Sequence, residues 1–171
     1  MIPRFVSGRP GPLFCVLGAL AAIGAPAAYA QEPRAEYRMS LSDVYGAYQH
    51  IVARRAACDS AFPALRPATG QAYKSWHARH QKLIGELDQR FNMMIRGASK
   101  DEKDFARNVG KYEGGLLRQR EEAKQALLQL PRGELEAECK ALPEFLRGAD
   151  SDLEKEFAEQ LAVVRKRPLV R

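Results

Sequence analysis

The sequence predicts an all-α fold, an antiparallel helical bundle of three long and two short helices, on three observations. Apolar residues recur every three or four positions through five stretches. Breaks rich in proline or glycine separate those stretches. No hairpin dipeptide lies between alternating runs, so nothing signals a strand.

Residues 1–30 stand apart from that pattern. Arg4 and Arg9 give a positive start, with no acid before Glu32. Residues 13–23 (LFCVLGALAAI) form an eleven-residue apolar run, which Gly24 and Pro26 break. Ala28, Tyr29 and Ala30 then supply a small-x-small cleavage site. Charged start, short apolar run and cleavage site in this order predict a secretory signal peptide cut before Gln31. The run falls short of the about 20 residues that span a bilayer, so no transmembrane segment is expected after cleavage. Cys15 follows Phe14 instead of a small residue, which argues against a lipidated cysteine.

Export changes the arithmetic of the remaining 141 residues. Lys plus Arg falls from 27 to 25 while the 21 acids stay, so the net charge drops from +6 to +4. That is a mild, dispersed positive charge, enough for weak attraction to anionic surfaces and no more. Of three cysteines, only Cys58 and Cys139 remain, and an oxidising compartment favours a disulfide between them.

The bundle domain is expected over 40–167, after a polar, flexible 31–39 and before a frayed tail, 168–171. Ser40 with Asp43 resembles a capping pair, and Leu41, Val44, Tyr48, Ile51 and Val52 place a first helix at about 41–60. Cys58 lies on the same face, seven residues after Ile51. Pro63 and Pro67 bracket a break. Thr69 caps the second helix, whose stripe runs through Tyr73, Trp76, His80, Leu83, Ile84, Leu87, Phe91, Met94 and Ile95. Gly97 ends it. Ser99 with Glu102 forms a capping box for the third, whose stripe is Phe105, Val109, Tyr112, Leu116, Ala123, Leu127 and Leu130. Gly114 and Gly115 sit inside that helix at a cost of about 1 kcal/mol each relative to alanine, as a kink or a close helix contact. A short helix carries Leu135, Cys139 and Leu142 and stops at Pro143. Ser151 with Glu154 starts the last, with Leu153, Phe157, Leu161 and Val164 inward and basic residues 165–167 at its C-terminal end, where they complement the helix dipole. Both cysteines face inward, so a disulfide ties the first helix to the fourth.

Catalytic signatures are weak. His77 and His80 stand at i, i+3, and His50 on the first helix is the only further histidine. A small metal-binding protein or hydrolase using His50, His77 and His80 is therefore the rival class. Residues 76–82 carry no carboxylate and two cations besides the histidines, a poor setting for a metal ion. There is no C-x-x-C-H for covalent haem, and no histidine follows residue 80 to pair with Met39 across a bundle. No G-x-S-x-G motif is present, and the carboxylates at 121–122, 134–138 and 150–154 read as solvated helix faces. No catalytic residue, metal or cofactor is expected, and nucleic acid is not an expected partner.

The surface candidate is the second helix. Tyr73, Trp76, Arg79 and Lys82, with Lys74 and Arg90 nearby, form a basic and aromatic stripe suited to a protein or an anionic envelope component. A cysteine pair and a tryptophan followed shortly by arginine, here Trp76 and Arg79, resemble small exported bacterial proteins of the lysozyme-inhibitor type known from the LprI-like domain. The spacing and the cysteine flanks depart from that pattern, and no site residue is carried over. The sequence thus points to a periplasmic or secreted helical protein of the bacterial envelope that binds or scaffolds and does not catalyse.

Overall fold

The structure, a computed structural model, describes residues 32–169. The predicted signal segment, its cleavage site and Cys15 lie outside the described residues, as do 170 and 171. Helices α1 (Glu32–Ala61), α2 (Arg66–Gly97), α3 (Glu102–Leu128) and α4 (Arg132–Arg147) are followed by two short ones, α5 (Leu153–Glu156) and α6 (Ala158–Arg165). Among the described residues there is no strand, and the all-α bundle is the fold. The expected last helix is two, because the chain breaks at Phe157, which leaves helical geometry at φ −111°, ψ 31°.

One apolar core joins α1, α2, α4, α5 and α6. Its largest fully buried side chain is Trp76, and Leu41, Val44, Leu87, Leu142, Leu146, Leu161 and Val164 are fully buried in the same core. The Trp76 indole N–H donates to the Ser151 carbonyl at 2.8 Å, so α2 grips the α4–α5 turn by both apolar and polar contact. Cys58 and Cys139 form the expected disulfide, their Cα atoms 5.3 Å apart, and it ties α1 to α4. Closing a loop of this length is worth about 4–5 kcal/mol in the chain-entropy account.

The helix ends depart from the sequence expectations in one consistent way. Helix α1 begins at Glu32, ahead of the expected start at about 41: Tyr37, buried one turn before Leu41, extends the apolar stripe, with Arg167 over its ring at 4.7 Å. Ser40 is buried within that helix and caps nothing. Helix α2 starts at Arg66, with Pro67 in its first turn, where a missing N–H costs no bond. The Thr69 hydroxyl donates back to the Leu65 carbonyl, and Ser99 does the same to Ile95. The caps are aspartates instead. Asp101 accepts from the Asp104 N–H at 2.8 Å, and Asp152 from that of Glu154 at 3.1 Å.

Pro143 lies inside α4, and the helix continues to Arg147. The proline removes one backbone bond, but continuing the helix buries Leu146 completely, an effect of similar size and opposite sign. The end of α6 and the residues just after it are tied as well. Arg90, read as part of a surface stripe, is buried, and its guanidinium donates to the Val164 and Arg167 carbonyls at 2.8 Å each.

Candidate functional site

The stripe expected on α2 divides along its helix. Tyr73, Trp76, His80 and Leu83 point into the molecule, while Arg79 and Lys82 stay in solvent. Trp76 is 0% exposed and offers no contact surface. Tyr73 is half-buried beneath the Arg55 guanidinium, 4.4 Å from its ring centre. Arg79 donates to the Leu146 carbonyl at 2.7 Å, satisfying the C-terminal end of α4. The likeness to the lysozyme-inhibitor type therefore rests on a tryptophan that fills the core and an arginine that ends a helix.

The histidines do not converge. His80 is buried, with Nδ1 2.9 Å from the Trp76 carbonyl and Nε2 3.4 Å from the Leu153 N–H. A proton on Nδ1 satisfies both contacts at once, which leaves neither nitrogen for a metal. His77 is half-buried against Tyr48 and Tyr73. His50 is exposed on α1. Among the described residues, no group of three His, Cys, Asp or Glu side chains is placed to hold a metal ion.

A surface that sequence periodicity does not single out lies on α3. This 27-residue helix has no buried residue. Leu117 is 60% exposed and Tyr112 39%; five residues apart, they project from different faces of the helix, roughly 140° from one another. Helix α3 rests mainly on α1 and less on α2. At that seam is a hollow of about 260 Å³, floored by Tyr45, Phe91 and Ile95 and walled by Val109, Tyr112 and Leu116. Its polar lining is the Tyr45 hydroxyl with Asp88, Asn92 and Glu113, and the hydroxyl donates to Asp88 at 3.0 Å. Burial, reinforced by the Asp88 carboxylate, pushes the Tyr45 hydroxyl up to about 12, so it stays protonated at any physiological pH. A protonated phenol already donating to a carboxylate does not act as a base.

Polar links from α3 to the frame are sparse. Arg120 donates through Nε and Nη2 to Oε1 of the buried Gln49, the Nε bond being 2.8 Å. Arg96 pairs with Glu102 and lies over the Phe105 ring, but only near the α2–α3 connection. Gly114 and Gly115 make no close helix contact, since a Cβ on either would meet nothing within 4 Å, and the helix runs through them unbroken.

No family model, no curated protein and no solved structure matches this chain.

Proposed function

We propose that the protein is an exported, non-catalytic binding protein of the bacterial cell envelope, and that α3 with the hollow beneath it takes a protein partner. One observation carries the reading: an amphipathic helix of 27 residues without a buried residue, exposing Leu117 to solvent and Tyr112 at the wall of a hollow of mixed apolar and polar lining. Large aromatic and aliphatic side chains left exposed on a helix that buries none of its residues mark an interaction surface. The charge on α3 is nearly balanced, six Lys or Arg against five Asp or Glu, so an apolar protein contact fits it better than an anionic polymer does. The leader-like residues 1–30 and the Cys58–Cys139 disulfide support export. No helix among the described residues is long and apolar enough to cross a membrane.

The test places a photocrosslinking amino acid at Leu117, or at Lys82 on the opposite reading, in cells that express the full chain. The expected result is a discrete adduct from position 117 that Tyr112→Glu abolishes, no adduct from position 82, and protein recovered from the periplasm or medium starting at Gln31. Adducts from position 82 alone would return the binding face to α2, and a retained 1–30 segment would overturn export.

A further inference from the structure

A second hollow, of about 240 Å³, lies on the far side of α1 from the Tyr45 end, between α1 and the α4–α5 turn. Its apolar walls are Ile51, Phe145, Leu153 and Phe157. Five polar side chains complete the lining, and they are unequal: the Ser151 hydroxyl is buried and already donates to the Leu146 and Gly148 carbonyls. Arg54 is already neutralised by Glu138, and its guanidinium lies over the Phe145 ring, 4.9 Å from the centre. Asp150 and Glu156 are exposed at the rim, and among the described residues neither carboxylate has an ion-pair or hydrogen-bond partner. His50 is likewise exposed and unpartnered among them, and can share a hydrogen bond.

We infer that this hollow binds a primary ammonium carried on a short apolar or aromatic stem. Three features select that chemistry. The walls are apolar and include the Phe157 ring, which accepts an apolar body and attracts a cation at its face, whereas the Phe145 ring is already covered by the Arg54 guanidinium. The unbalanced charge of the lining is negative, since the Arg54 cation is answered by Glu138 while the two rim carboxylates are not. A ligand carboxylate would meet those two rim anions, while the Arg54 charge is answered by Glu138 and only its buried Nε lacks a partner, so an acid is disfavoured. The volume falls below the roughly 300–1,000 Å³ of pockets for drug-sized ligands, which limits the stem to about one ring or a short chain. The ammonium belongs either to a free amine or to a lysine side chain presented by a partner, and both share this chemistry. The site is separate from α3 and does not depend on the partner surface proposed there.

Methyl resonances of Ile51 and Leu153 report on the hollow directly. Titration of the protein with phenethylamine is expected to shift both to saturation, while 3-phenylpropionate, which has a similar body and the opposite charge, leaves them unmoved. The double variant Asp150→Asn, Glu156→Gln should weaken phenethylamine about tenfold with unchanged thermal unfolding, because both side chains are exposed. Ala47→Trp, which fills the hollow from α1, should abolish the shifts. An Nα-acetyl-lysine methylamide arm separates the two sources: tighter binding than phenethylamine assigns the ammonium to a lysine side chain. Equal binding of the acid and the amine, or shifts that survive the double substitution, would overturn the site.

Discussion

Helices α2 and α3 are nearly the same length, 32 and 27 residues, and both carry an apolar stripe at helical spacing, yet α2 buries ten residues and α3 none. The difference lies in their neighbours. Helix α2 is enclosed by α1 and α4 and is bound to the chain's end through Arg90. Its stripe is also unbroken and large, with Trp76, Leu83, Leu87 and Phe91 in succession. The stripe of α3 is interrupted where Gly114 and Gly115 replace side chains, and Arg120 occupies the next inward turn, spending it on a polar link to Gln49. With α1 as its main support, α3 covers the frame without entering it. Amphipathic periodicity shows which face of a helix turns inward; the number of elements that close over that face sets how deeply it is buried.

The sharpest way to break this comparison is to truncate one inward side chain on each helix. Trp76→Ala should cost about 3–5 kcal/mol, through the lost indole, its cavity and the orphaned Ser151 carbonyl. Leu116→Ala, half-exposed on α3, should cost about 1 kcal/mol. Urea unfolding followed by circular dichroism measures both, and equal costs would mean that α3 belongs to the core after all.

A smaller effect tests the polar side of the α2 frame. Glu86 accepts from Arg90 at 2.8 Å and from Arg165 at 2.9 Å, which pins α6 to α2. Burial pushes its carboxyl up, but the hydrogen bonds from Arg165 and Arg90 outweigh burial and hold it below its ordinary value of 4.5. Because the folded value is the lower one, the stabilisation is present above pH 4.5 and is lost as pH falls through the folded value. Glu86→Gln should therefore cost about 2 kcal/mol at neutral pH and progressively less in acid. A loss that stays constant down to the acid transition would show that the ion pairs contribute nothing. No matching acid dependence is expected for Arg120→Ala on α3, where the partner is an amide.

The smallest effect has the opposite sign. A Cβ at Gly114 or Gly115 meets nothing within 4 Å, and both residues are helical. Each change to alanine should stabilise the protein by about 0.5–1 kcal/mol and slow amide exchange across the middle of α3. Destabilisation by either would reveal a contact or a strained backbone at that point.

The cap misreadings share one physical cause. Ser40, Thr69, Ser99 and Ser151 all stand where a serine or threonine signals a helix start. A hydroxyl both donates and accepts, and Thr69, Ser99 and Ser151 use it to donate to carbonyls upstream. An aspartate carboxylate only accepts, so Asp101 and Asp152, which follow Ser99 and Ser151 closely, hold the free N–H groups. The local pattern locates each boundary to within a few residues, and chemistry further along the chain decides which side chain makes the cap. The candidate site was less legible. Tyr73, Trp76, Arg79 and Lys82 are adjacent on the chain, but one helical turn separates those that face the core from those that face water. Tyr45, Phe91 and Tyr112 come from three helices and form one hollow only after the helices dock.

The sequence by itself determined what is local to a helix or to a pair of residues: the helical period, the breaks, and a cysteine pair on inward faces. Tertiary structure alone decided that Trp76 is core and not surface, that His80 is satisfied and unavailable, that α3 is a covering helix, and that hollows form beneath α3 and beside the α4–α5 turn. The division has a simple basis. Periodicity and capping depend on side chains within a turn or two of one another, whereas burial and cavity shape depend on how many elements surround a residue, and no stretch of one helix encodes that number.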